Sequence, residues 1–112
     1  MKGYILSIHP GKTARLTEHT APATLEQLRE AVGGGWLEAV PHFNYIPDHK
    51  NNVVKCVVFC DEEGKLKQLE INKNATALWF SSCKYQKKPM PNDMLVGPIA
   101  IVYGDKEFME DL

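Results

Sequence analysis

The stretch from Val53 to Trp79, VVKCVVFCDEEGKLKQLEINKNATALW, constrains the fold more than any other part of the chain. Val53 to Phe59 is apolar and β-branched, the composition of a strand. Asp61-Glu62-Glu63-Gly64 then places a glycine where a tight turn needs a positive φ. Leu66, Leu69 and Ile71 read as the returning strand, so the segment predicts a central β-hairpin. Asn72 and Asn74 are both good helix caps. They predict a short helix over Ala75–Ser82, with Leu78 and Trp79 near the core face that Ala75 marks. Cys56 and Cys60 lie four apart in the expected strand and so on one face. They read as small buried thiols, and Cys83 completes an odd set that fits a reducing compartment. The three acids of the turn read as solvated, because they lack the spread of carboxylate and carbonyl ligands that a calcium site uses.

The flanks read as further strands and one helix. In Gly3–His9, Tyr4, Leu6 and Ile8 share one face, with Ile5 and Ser7 on the other. His9-Pro10-Gly11-Lys12 is turn chemistry, and Thr13–Thr17 is expected to return as a hairpin partner. Thr24-x-x-Gln27 has the form of a capping box. Leu25, Leu28, Ala31 and Val32 follow at helical spacing, and Gly33-Gly34-Gly35 ends that helix. Phosphate-cradling glycines precede a helix; these follow one. Trp36–Phe43 is expected to be a strand, with Pro41 at an end or bulge. Asn44–Asn52, holding Tyr45 and His49, reads as a polar loop. Lys84–Lys88 reads as a basic loop before Pro89-Met90-Pro91. Asn92-Asp93 turns the chain towards a buried strand at Ile99–Tyr103, ended by Gly104. Residues 105–112 form an acidic tail with room for one or two helical turns.

This pattern predicts a single α+β domain over residues 1–112, with one antiparallel or mixed sheet and two short helices packed on one side. The length suits one modest core. Thirteen Lys and Arg against 14 Asp and Glu give a net charge of −1, which argues against a nucleic-acid binder. No apolar run approaches the roughly 20 residues of a membrane span. Met1–His9 is expected to carry no secretory signal, and the expected location is the cytoplasm.

Catalytic motifs are missing. Ser81-Ser82 lack the glycines of a nucleophile elbow, and no Walker loop, dinucleotide fingerprint or paired-histidine zinc motif occurs. The expectation is a protein that is not an enzyme and carries no metal or cofactor. Binding chemistry is better represented. Trp36, Phe43, Tyr45, Trp79, Phe80, Tyr85 and Tyr103 lie in or near predicted loops and strand ends, and Lys73, Lys84, Lys87 and Lys88 lie near some of them. A nucleotide needs an aromatic face for its base, amides for the base edge, and cations for its phosphates. The expected pocket therefore draws on Trp36, Asn72, Lys73, Asn74, Thr76, Trp79 and Lys84, with Lys84–Lys88 as a lid. The same residues read equally well as core aromatics, a helix cap and a solvated basic loop.

Five segments carry a resemblance: Leu28–Gly34, Leu37–Pro41, Val57–Leu66, Asn72–Trp79 and Asp93–Pro98. In this order and spacing the chain resembles a family of small phage, prophage and mobile-element proteins of unknown function. What the resemblance implies is a setting, a mobile-element gene expressed in a bacterial cytoplasm. In size and character the chain is also similar to the phage sponge proteins that counter Thoeris immunity. The expectation that follows is an oligomeric, non-catalytic protein that sequesters a nucleotide-derived immune signal, a cyclic oligonucleotide or cyclic ADP-ribose. The rival expectation is a protein-directed inhibitor, of anti-CRISPR or anti-restriction type. It would present Asp61–Glu63 and Asp105–Asp111 as phosphate-like charge.

Overall fold

The computed structural model describes residues 1–112. Seven strands and three helices form in the order β1 (Gly3–Ile8), β2 (Arg15–His19), α1 (Leu25–Ala31), β3 (Leu37–Ala39), β4 (Tyr45–Pro47), β5 (Val53–Lys55), β6 (Val57–Asp61), α2 (Lys73–Tyr85), β7 (Ile99–Gly104) and α3 (Lys106–Met109). Five strands make one sheet in the order β2-β1-β7-β6-β3, and every pairing is antiparallel. β4 and β5 form a separate two-stranded ribbon. The α+β class is as the sequence predicts.

The sheet is covered on both faces, not on the single face expected. Tyr4, Leu6 and Ile8 look into the larger core with Val58, Ile99, Ile101 and Tyr103, and α2 covers them with Ala75, Trp79 and Cys83. Ile5 and Val102 look the other way, into a smaller core closed by Leu28 of α1 and Phe108 of α3. The alternation predicted for β1 is therefore correct, with α2 on one face and α1 and α3 on the other. β7 is buried along Ile99–Tyr103 because it is the central strand with helices on both sides.

The central hairpin does not form as expected. The apolar run Val53–Phe59 is cut at Cys56, so it serves two sheets: β5 pairs with β4, and β6 lies between β7 and β3. Cys56 N–H donates to Asn44 C=O, which ends the ribbon ladder. No returning strand follows. Asp61 Oδ1 accepts from Glu63 N–H, and the chain winds through successive turns up to Leu69. Leu66, expected in a strand, is 82% exposed in those turns. Ile71 keeps one bridge, to Val96. The partner expected from Leu66–Ile71 comes instead from β3, far back in sequence.

Other boundaries move for identifiable reasons. The second strand is Arg15–His19, two residues later than Thr13–Thr17, and it is the hairpin partner of β1. The Thr24–Gln27 capping box forms. Gly34 N–H reaches Arg29 C=O and Gly33 N–H reaches Glu30 C=O, a Schellman closure with both glycines at positive φ. The strand predicted over Trp36–Phe43 is only Leu37–Ala39, because His42 takes a φ of 62° and turns the chain. Asn44–Asn52 is not all loop; Tyr45–Pro47 pairs as β4. Asn72, rather than Asn74, caps α2. That helix runs on to Tyr85 and takes in Lys84. The acidic tail is not free, since Asp105 caps α3 and Phe108 is buried. No helix is long and apolar enough to cross a membrane.

Candidate functional site

Three of the expected pocket residues are consumed by the fold. Asn72, 1% exposed, uses Oδ1 to accept from Ala75 N–H, and its Nδ2 donates to the carbonyls of Ile8 and Gly97 at 2.8 and 2.9 Å. Thr76 Oγ1 donates to Asn72 C=O and accepts from Leu95 N–H. Trp79 packs in the larger core and gives Nε1–H to Pro41 C=O at 2.8 Å. Every buried side-chain nitrogen and oxygen has a partner of this kind. None of these three groups is spare for a ligand.

The other four do not converge. Trp36 is 57% exposed near the end of α1, with the Arg29 guanidinium 4.1 Å over its ring. Lys73 and Asn74 are exposed in the first turn of α2, and Lys84 is exposed in its last. Asn72 and Lys84 are twelve positions apart, about 18 Å along a helix at 1.5 Å per residue. They cannot line one small pocket.

A different groove gathers the chemistry. Ser82 in α2 accepts from the N–H groups of Asn44 and Tyr45, and its hydroxyl donates to His42 C=O. Gln86 Nε2 also donates to His42 C=O. These bonds strap the segment before β4 across the C-terminal end of α2. The β5–β6 break then turns Lys55 and Val57 towards the same region, and α3 brings Lys106 and Met109 to its far wall. The result is an open groove of about 630 Å³, within the size range of small-molecule sites, roughly 300–1,000 Å³.

The lining supplies three kinds of contact. Tyr45 gives an aromatic face, with Tyr85 packed against it at 5.1 Å between ring centroids. Asn44 Nδ2 donates to Gln86 Oε1 at 3.0 Å, which orients the Asn44 amide and leaves Asn44 Oδ1 free to accept. Lys55 and Lys106 bring two ammonium groups, and neither takes part in the three ion pairs of the chain. Val54, Val57 and Met109 are the apolar part of the lining, and Glu110 is its one carboxylate. Cys56 also lines the groove, but burial pushes its thiol up to about 12. It stays protonated at neutral pH and is a poor nucleophile. No three His, Cys, Asp or Glu side chains are gathered to hold a metal ion.

Tyr45 and Tyr85 were visible in the sequence as aromatics near loops. Asn44, Lys55, Gln86 and Lys106 were not. They lie in four separate segments, and only the strap, the strand break and α3 bring them together.

Neither the curated proteins nor the solved structures contain a match to this chain. The match that exists is to a family model and covers residues 1–112, so the chain belongs to the family described as Domain of unknown function (DUF3846).

Proposed function

We propose that this protein is a non-catalytic binding protein for a small nucleotide-derived ligand, seated in the groove between α2, the β5–β6 break and α3. The observation that carries the reading is the convergence of Tyr45, the Asn44–Gln86 amide pair, Lys55 and Lys106 on one groove. The ring offers a stacking face, the free amide oxygen accepts from a base edge, and the ammonium groups meet phosphate oxygens. In the phage setting that the resemblance implies, the activity is sequestration of a cyclic oligonucleotide or cyclic ADP-ribose signal in the bacterial cytoplasm. Two copies joined along the open side of the groove would enclose such a ligand, which is how a short chain gains burial. The inhibitor reading has less support. Asp61 is buried and paired with Lys67, so the proposed phosphate mimic loses the first charge of its turn.

A thermal-shift screen against cyclic dinucleotides, cyclic trinucleotides and cyclic ADP-ribose isomers tests this. A ligand at one hundred times its dissociation constant stabilises the fold by about 2.7 kcal/mol, a shift of several degrees for a domain of this size. The expected result is such a shift, with intact ligand recovered after denaturation. The double variant Lys55→Gln/Lys106→Gln should lose it. Altered ligand would point to an enzyme, and a shift undiminished in the double variant would remove the site.

A further inference from the structure

β2 breaks the rule that the helix-facing side of a sheet is apolar. Register pairs Gly3 with His19, Ile5 with Thr17 and Ser7 with Arg15. Directly opposed residues of an antiparallel pair share a face. Arg15, Thr17 and His19 therefore lie on the face of Ile5, the side that carries α1, α3 and the smaller core. An edge strand under helices should place apolar residues there. β2 places three polar ones at i, i+2 and i+4, and Leu16, on the opposite face with Leu6, is exposed. Local patterning of this kind is violated mainly where function requires it.

The consequence is a second cleft, which shares no lining residue with the groove. It holds about 430 Å³ between β1, β2 and α1 and is lined by Arg15, Thr17, His19, His9, Gln27 and Glu30, among others. Its width is fixed by Ser7, whose hydroxyl donates to Ala31 C=O at 3.0 Å and ties β1 to the end of α1. Thr17 Oγ1 lies 2.8 Å from His19 Nε2, and the His19 ring stacks on Phe108, which orients the imidazole. The capping box commits Gln27 Oε1 to Thr24 N–H, leaving its amide donors for the cleft. Arg15 has no ion pair.

We propose that this cleft binds a phosphate group, free or carried as a monoester by a small molecule. A phosphate needs several donors arranged around a tetrahedron of oxygens, and a guanidinium fork is the strongest single partner for it. The cleft offers that fork with two imidazoles and a primary amide, against one carboxylate; the Ser7 and Thr17 hydroxyls already donate to the Ala31 and Ile5 carbonyls. An inward-pointing charge can also serve only to blunt an edge strand against aggregation. That role needs no converging donors and gives no saturable anion binding.

The test is an NMR titration of the histidine ring signals with inorganic phosphate, using sodium chloride at matched ionic strength as the reference. His42 and His49 lie outside the cleft and serve as internal controls. Saturable shifts confined to His9 and His19, seen with phosphate and not with chloride, are expected. Arg15→Gln should weaken the apparent affinity at least tenfold, and Glu30→Gln should strengthen it. A parallel titration with phenyl phosphate separates the sources: binding of both probes indicates a monoester site, and binding of inorganic phosphate alone indicates a free-ion site. Equal effects of chloride, shifts at all four histidines, or an Arg15→Gln variant that is folded and binds as the wild type would overturn the proposal. Arg15 is exposed, so its substitution leaves a folded protein for the comparison.

Discussion

Replacing Asn72 with alanine should be among the most damaging single changes in this protein, although the residue is small and polar. Its side chain joins three segments: it caps α2 through Ala75 N–H, and its amide holds the end of β1 at Ile8 C=O and the approach to β7 at Gly97 C=O. Loss of an N-cap costs about 1 kcal/mol. A buried group left without its partner costs about 1–3 kcal/mol. Two carbonyls lose their donor here, at a site only 1% exposed where water cannot take its place. The loss should reach at least about 3 kcal/mol, a large part of the roughly 5–15 kcal/mol that holds a domain together. The assay is urea denaturation, read as a fall in midpoint at constant slope, with a drop of roughly 12 °C or more in Tm. Asn72→Asp keeps the cap acceptor but turns a second acceptor on the two carbonyls, and should be at least as destabilising. Asn74→Ala, two residues along and exposed, should stay within about 0.5 kcal/mol of wild type. Similar stabilities for Asn72→Ala and Asn74→Ala would refute the reasoning.

Three further outcomes follow from the core and the turn after β6. Burial pushes the Asp61 carboxyl up, but Lys67 Nζ at 2.8 Å and the Glu63 N–H outweigh it, and the net direction is down. A depressed folded pKa gives stability that is complete at neutral pH and is lost as pH falls from about 4 through the lowered value. Lys67→Met should raise the Asp61 titration seen by carboxyl NMR and move acid unfolding to higher pH; an ordinary Asp61 titration in the wild type would contradict this. Burial pushes the Cys56 thiol up to about 12, and Cys83 is also raised by burial. Both should resist iodoacetamide at pH 8 until the protein unfolds, and rapid native labelling of Cys56 by mass spectrometry would contradict the core packing. A Cβ on Gly104 would lie 2.6 Å from Gly3 Cα and 2.7 Å from Lys2 C=O, both backbone atoms. Gly104→Ala should therefore lose about 1–3 kcal/mol in urea denaturation, and a neutral result would mean that β1 and β7 can move apart at this end of their pairing.

What could be read from the chain was what local chemistry decides. Thr24–Gln27 announced its capping box, the three glycines announced the end of α1, and β1 showed its two faces by alternation. The misreadings arose where distant partners decide. Val53–Phe59 is strand-like at every position, and nothing within it shows that Cys56 ends one pairing and Val57 begins another. Leu66–Ile71 alternates too weakly to specify a register, and the bond from Glu63 N–H to Asp61 Oδ1 starts a set of turns instead. Asn72 and Trp79 were expected to line a ligand pocket, but their polar atoms are bonded inside the fold. Arg15, Thr17 and His19 gave a signal in the sequence itself: a polar residue at every second position of a strand.

The most direct test of the central claim is an amide chemical-shift map with adenosine monophosphate, the smallest probe that joins a base, a ribose and a phosphate. The groove reading expects shifts centred on Asn44, Tyr45, Val54–Val57, Gln86 and Lys106–Glu110, and their loss in Lys55→Gln/Lys106→Gln. Shifts centred on Asn72–Thr76 would restore the pocket expected from the sequence. No shift anywhere at about 10 mM, a limit near −2.7 kcal/mol of binding, would contradict nucleotide recognition by this fold.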